Sequence, residues 1–210
     1  MSAPPSALDL LQFWFGPRPY TAAGVQQHSR LWFGEAAAPE LIPQTDELLR
    51  ERYGDLALAA EQGALASWES SPRRRLALIL LLDQFSRNIH RDTPRAFAQD
   101  LQALSLTVSG MQIGADATLD PVERLFFYMP LMHAESLEVQ EESVAAFRRL
   151  LEEAPADLRR IFASHLDYAV RHRDTIERFG RFPSRNEILG RDSTPEEAEW
   201  LAHEGRDFSR

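Results

Sequence analysis

The chain has 210 residues, 44% of them apolar and 26% charged, with a formal net charge of −9 and a pI near 5.2. Such a length buries roughly 70% of its unfolded surface and needs no metal or disulfide to fold, so residues 1–210 are expected to form one domain. The acidic balance disfavours nucleic acid and anionic membranes, which both demand a cationic face.

Two absences narrow the chemistry. With no cysteine, thiol nucleophiles, thiolate metal sites and disulfides are excluded. All 23 basic side chains are arginine, so a Schiff-base lysine, pyridoxal phosphate attachment and a Walker-type lysine are excluded as well. No cofactor is expected. Residues 1–5 lack the basic-then-apolar pattern of a signal peptide. The aliphatic run Leu76 to Leu82 is too short to span a bilayer. A cytoplasmic location is expected.

In chain order the pattern is helical throughout. Ser6 caps a helix carrying Leu8, Leu11, Trp14 and Phe15, stopped by Gly16-Pro17. A Trp32-Phe33 segment follows. Residues 44–68 read as a helix pair broken near Gly54 or Gly63. Pro72 starts a helix whose run Leu76 to Leu82 is apolar all round and therefore central. Thr93-Pro94 predicts a capped helix to about Val108, and Asp120-Pro121 predicts another with Pro130 inside it, which should kink or split it. Residues 136–153 form an amphipathic helix. A long helix follows from Pro155 to Phe179 and ends at Gly180. After an irregular segment, Thr194-Pro195-Glu196-Glu197 is a capping box opening the last helix. The expected class is all-α: roughly eight or nine helices in a bundle or an α–α superhelix.

Three segments carry unusual polar chemistry. The first continues the buried leucines as Asp83-Gln84-Phe85-Ser86-Arg87-Asn88-Ile89-His90-Arg91. On a regular helix Asp83, Arg87 and His90 share one stripe, with Gln84, Asn88 and Arg91 beside it. Either the helix leaves the core with an ordinary Asp83–Arg87 pair, or it floors a polar pocket. The second segment, Phe126 to Glu135, holds Pro130, His133 and Glu135. His-x-Glu does not place both groups on one helical face and is weak as a metal pair, and no metal is expected. The third is richest. His165 and His172 lie seven apart on an apolar stripe, followed by Arg171, Arg173, Arg178, Arg181, Arg185 and Arg191. From 171 to 191 six arginines face only Asp174, Glu177 and Glu187, a basic patch in an acidic chain. Guanidinium forks suit carboxylate or phosphate. They would equally suit internal pairing with Asp83, Asp92, Asp174 or Glu177.

The words LDLLQFWFG (8–16), LALILLLDQFSRNIHRDTPRAFAQD (76–100), FFYMPLMHAES (126–136) and RHRDTIERFGRFPSRNEILGRDSTPEE (171–197) resemble the bacterial family called domain of unknown function 924. The resemblance implies a tetratricopeptide-like α–α superhelix and no established activity. It also implies proline at Ser86, tyrosine at His90, glutamate at Met132 and histidine at Ser184, four positions where this chain departs. Asp83, Arg87, His133, Arg181, Arg185 and Asn186 match.

Three functional readings follow. The first is a binding protein whose pocket takes a small anionic ligand or an acidic peptide group. It would use Asp83, Arg87, His133, His165, His172, Arg181, Arg185 and Asn186. The second is a hydrolase or transferase acting on an anionic substrate, with His133 or His172 as general base and Asp83 orienting it. The third is a scaffold whose arginines tie the C-terminal segment to the Asp83 helix, leaving a groove for a protein partner.

Overall fold

A computed structural model describes residues 5–33 and 41–203, so most of the N-terminal stretch read for a leader lies outside the described residues. The described residues are helical and include no strand. The helices are α1 (Ala7–Phe15), α2 (Ala22–Phe33), α3 (Ile42–Glu61), α4 (Pro72–Leu80), α5 (Ser86–Ile89), α6 (Asp100–Gln112), α7 (Pro121–Met132), α8 (Leu137–Glu152), α9 (Arg159–Phe179) and α10 (Pro195–His203).

The all-apolar turn is central, as its pattern requires. Helix α4 packs against α1, α6 and α7, and Leu76, Ile79, Leu80 and Leu82 are buried. An aromatic cluster closes the N-terminal side. Trp14 lies 5.0 Å from Phe85 and 5.7 Å from Phe126, and Trp32 lies 4.7 Å from Phe126, ring centre to ring centre. The Trp32 indole donates to the Trp14 carbonyl at 2.8 Å, so the ring is buried without stranding its N–H. Beyond this cluster α8 packs extensively on both α7 and α9.

Helix starts follow local chemistry. Ser6 and Asp9 form a capping box on α1, and Asp120 and Glu123 form another on α7. The second box has a further role. Glu123 is fully buried, accepts from Tyr20 at 2.9 Å and pairs with Arg73 at 3.1 Å. One carboxylate thus caps α7 and anchors the segment between α1 and α2.

Three expectations are sharpened. Of the two breaks considered for residues 44–68, the structure takes the one at Gly63, between α3 and a 3₁₀ turn at Ala66–Ser70. α3 runs unbroken through Gly54, because burying Leu49, Tyr53, Leu56, Ala57 and Ala60 along one face outweighs a glycine penalty of about 1 kcal/mol. Pro130 does not split α7, which continues to Met132. Thr93 stands at an N-cap position with Pro94 after it, but its hydroxyl donates back to the His90 carbonyl at 2.7 Å instead of capping, and Pro94–Phe97 form only a 3₁₀ turn. The helix proper begins at Asp100.

Gly110 marks a close approach between α6, α7 and α4. A Cβ there would lie 2.6 Å from Phe127 Cζ and 2.9 Å from Arg75 Cδ. Phe127 is fully buried and Arg75 is held by the Leu106 carbonyl and Ser109, so neither yields easily. Gly110→Ala should therefore lower unfolding stability by about 1–3 kcal/mol despite alanine's better helix propensity. Urea denaturation should show a lower midpoint at unchanged slope.

Candidate functional site

The helix that begins at Pro72 widens into a π turn at Leu81–Phe85 before resuming as α5. Such turns insert a residue into the helical ladder and recur at functional sites. This one displaces the stripes expected of a regular helix. Asp83 and Arg87 face α6 and α7. His90 instead meets Glu61 at 3.2 Å, and Arg91 forms a two-pronged pair with Asp46 on α3 at 2.5 and 2.9 Å. Asn88 joins that second group by accepting from Arg91.

Asp83 is fully buried. Its Oδ1 lies 2.6 Å from His133 Nδ1 and 3.2 Å from Arg87 Nη1, and its Oδ2 accepts from Gln84 at 2.6 Å. Burial alone would raise its pKa. Arg87, His133 and Gln84 together reverse that and hold the carboxyl well below the usual range. An ionised carboxylate only accepts, so Nδ1 of His133 carries the hydrogen and Nε2 presents a lone pair. Burial and then Arg87 depress the imidazole below its ordinary value, with Asp83 opposing them. His133 is neutral at pH 7. Among the described residues nothing hydrogen-bonds its Nε2, and 16% of the side chain remains exposed.

Arg87 reaches across to Asp100 as a fork, at 2.8 and 3.0 Å. Arg185, delivered by the 3₁₀ turn Pro183–Arg185, touches the same Asp100 Oδ2 at 3.2 Å and donates to the His133 carbonyl at 2.9 Å. Its guanidinium lies between Phe97 and Phe182, 4.8 and 4.5 Å from the ring centres. Burial first, and then Arg87, bring its pKa down to about 10, still charged at neutral pH. His172 completes the cluster: its ring centre is 6.4 Å from that of His133 and 5.4 Å from that of Phe182. Burial and the neighbouring His133 push it down to about 3.

Five of the eight sequence-expected residues therefore converge: Asp83, Arg87, His133, His172 and Arg185. Three do not. His165 lies on α9 with Nδ1 on the Ile161 carbonyl at 2.8 Å and its ring 5.7 Å from Phe33. Arg181 and Asn186 belong to a separate structural network around Glu197. Arg181 grips that carboxylate at 2.7 and 2.8 Å, and Asn186 donates to it at 3.3 Å. Glu197 also closes the α10 capping box with Thr194, accepting from its N–H at 2.7 Å. Arg191 adds a second tie, a fork onto Glu135 at 2.8 and 3.0 Å, while Glu135 also receives the Phe182 N–H at 2.8 Å.

The expected counter-ions were thus partly the wrong ones. Arg173 does meet Asp174, at 2.8 Å, but Arg181, Arg185 and Arg191 pair with Glu197, Asp100 and Glu135. These partners are brought in by folding rather than by proximity in sequence.

Two contributors escaped the sequence reading. Asp100 looks there like one more polar position inside the helix expected from Pro94, and only the structure places it in the first turn of α6. Gln140 looks like one polar position on amphipathic α8. It is fully buried, and its amide donates to the carbonyls of Met132 and Ala134 at 2.6 and 2.8 Å, on either side of His133. Of the departures from the expected family pattern, Ser86 donates to the Arg95 carbonyl, His90 pairs with Glu61, and Met132 is core. None of the five convergent groups lines the cleft of about 340 Å³ edged by Val108, Met111, Glu142 and Arg149. Among the described residues no group of three or more His, Asp or Glu could hold a metal ion.

Over residues 10–205 the chain matches the family described as bacterial protein of unknown function (DUF924), and it belongs to that family. A solved structure of a protein of unknown function from Agrobacterium tumefaciens is similar. It is 33% identical, with a TM-score of 0.75, and the match covers 93% of this chain and 96% of that one. No curated protein matches. No helix among the described residues is long and apolar enough to cross a membrane.

Two consequences are measurable. Arg181→Ala strands the buried Glu197 carboxylate and should lower stability by about 1–3 kcal/mol, read as a drop in melting temperature. Stability should also fall with acid in two stages. His172 has a folded pKa near 3, below the ordinary histidine value of 6.5, so the unfolded chain binds more protons and stability declines as pH falls from 6.5. Glu197, held near 2 by Arg181, adds the same sign of loss between about 4.5 and 2. Urea midpoints measured from pH 8 to 3 should hold until His172 begins to titrate in the unfolded chain and then decrease, and Glu197→Gln should flatten the lower stage.

Proposed function

We propose that this chain binds a small anionic ligand, with a carboxylate or phosphate group, at the face formed by Arg185, His133 and His172. One observation carries the reading: Arg185 has no carboxylate of its own. It shares one oxygen of Asp100 with Arg87, which already holds both oxygens of that group and one of Asp83. Its other hydrogen bond goes to a neutral backbone carbonyl, that of His133. Arg87 and Arg185 balance Asp83 and Asp100 in formal charge, but Arg87 takes most of the carboxylate oxygens and leaves Arg185 with N–H donors to spare in a partly desolvated site. An incoming oxyanion takes up those donors. His133 Nε2 is then the acceptor for a hydroxyl or amine on the same ligand. The flanking rings of Phe97 and Phe182 exclude water from the guanidinium and strengthen the pairing.

The test is calorimetric titration and ligand-induced thermal shift of the whole chain with inorganic phosphate, succinate, glutarate and adipate. At least one should bind. Arg185→Ala should weaken that binding by about 10- to 100-fold, the size of a lost charge-assisted hydrogen bond. Arg178→Ala, which breaks the exposed pair with Glu196 and a contact with the Phe179 ring, should leave it unchanged. Equal binding by Arg185→Ala and the unaltered chain would remove the proposal.

A further inference from the structure

We propose that His133 is a general base that activates water against a carboxylic ester in the anionic ligand docked at Arg185. The inference rests on the binding reading above and assigns a reaction to the same site.

The histidines differ in how their rings are held. His28, His165 and His172 each spend Nδ1 on the carbonyl four residues back in their own helix. That arrangement only satisfies a ring on a helix surface. His90 meets a partly exposed glutamate through Nε2. Among the described residues His133 alone has Nδ1 on a buried carboxylate, at 2.6 Å. The sequence left His133 and His172 as equal candidates, and this contact separates them.

Asp83 fixes the tautomer and ring plane, and it stabilises the imidazolium that forms when Nε2 takes a proton. The groups facing the ring are Asp83 and Arg87 from the π turn and α5, Asp100 from α6, His172 from α9 and Arg185 from the C-terminal segment. Their formal charges cancel with both histidines neutral, so the imidazole enters the reaction uncharged. Gln140 acts through His133 rather than on substrate: by holding the carbonyls of Met132 and Ala134 it fixes the chain on either side of it.

The step balances with water as co-reactant. Nε2 removes a proton from water as its oxygen adds to the ester carbonyl carbon. The bond from that carbon to the leaving oxygen then breaks, and Nε2–H returns the proton to the leaving group. Ester and water give a carboxylic acid and an alcohol. A carboxylic ester fits better than a phosphate ester. Phosphoryl transfer spreads charge over three oxygens and needs more than one uncommitted cation, whereas Arg87 is already engaged by two carboxylates.

The experiment follows 4-nitrophenolate release by the whole chain from mono-4-nitrophenyl adipate, with 4-nitrophenyl acetate and 4-nitrophenyl phosphate as controls. The adipate ester should turn over above buffer. Its kcat/KM should rise with unit slope in acid and level off below pH 6.5, because the His133 pKa is depressed. His133→Ala and His133→Gln should each lose about 100-fold in kcat or more, with circular dichroism confirming that they fold. Arg185→Ala should act mainly on KM. Gln140→Leu should shift the pH profile, and Gln140→Glu should restore less than the native residue does. No turnover above buffer, a rate that survives loss of His133, or turnover of the phosphate ester alone overturns the assignment. Adipate itself, titrated calorimetrically, separates the two readings: binding without turnover removes only the catalytic one, and no binding removes both.

Discussion

A negative charge buried at Asp83 organises this molecule. An ionised carboxylate away from water is costly unless it is paired and hydrogen-bonded. Here Gln84, Arg87 and His133 supply the partners. Each compensation recruits a further element. Arg87 is itself largely withdrawn from solvent and draws Asp100 with α6. Asp100 in turn receives Arg185 from the far end of the chain. Without that first charge, there is no electrostatic reason for residues 83, 100, 133 and 185 to meet.

The same economy appears at two helix starts. Glu123 and Glu197 each close a capping box, and each then accepts an arginine from elsewhere in the chain. A capping glutamate is ordinarily a surface residue worth a few tenths to about 1 kcal/mol. Buried and paired, it becomes a tertiary anchor. Glu123 secures the segment before α2, and Glu197 secures the segment that carries Phe182 and Arg185. Rigid planar guanidiniums suit these shared, forked arrangements better than a lysine ammonium would.

Much of this was legible where the chemistry is local. Ser6, Asp120 and Thr194 announce their helices, because a cap and its box residue lie within one turn. The apolar run at 76–82 announces the centre. Thr93-Pro94 misled because its hydroxyl had a competing acceptor in the preceding turn, the His90 carbonyl. The site was legible by residue type and not by pairing. Asp83, Arg87 and His133 stood out in apolar surroundings, and so did Arg185 within its basic stretch. Asp100 and Gln140 did not, since an acid within an expected helix and a glutamine on an amphipathic one are ordinary. The π turn at Leu81–Phe85 was also hidden, and it rotated His90 away from the stripe that a regular helix gives it. The arginines of 171–191 divided into structural and site groups only once Glu135, Glu197 and Asp100 were placed in space.

The segment between Gly180 and α10 has one more consequence, for the order in which the molecule is made. Residues 83, 100 and 133 emerge from the ribosome early, and 172 later. Arg185 and Phe182 follow, and the Glu197 clasp that holds them comes after both. The partners that satisfy the Asp83 carboxylate are thus all made before the arginine that joins them at Asp100, and before the short helix that fastens it.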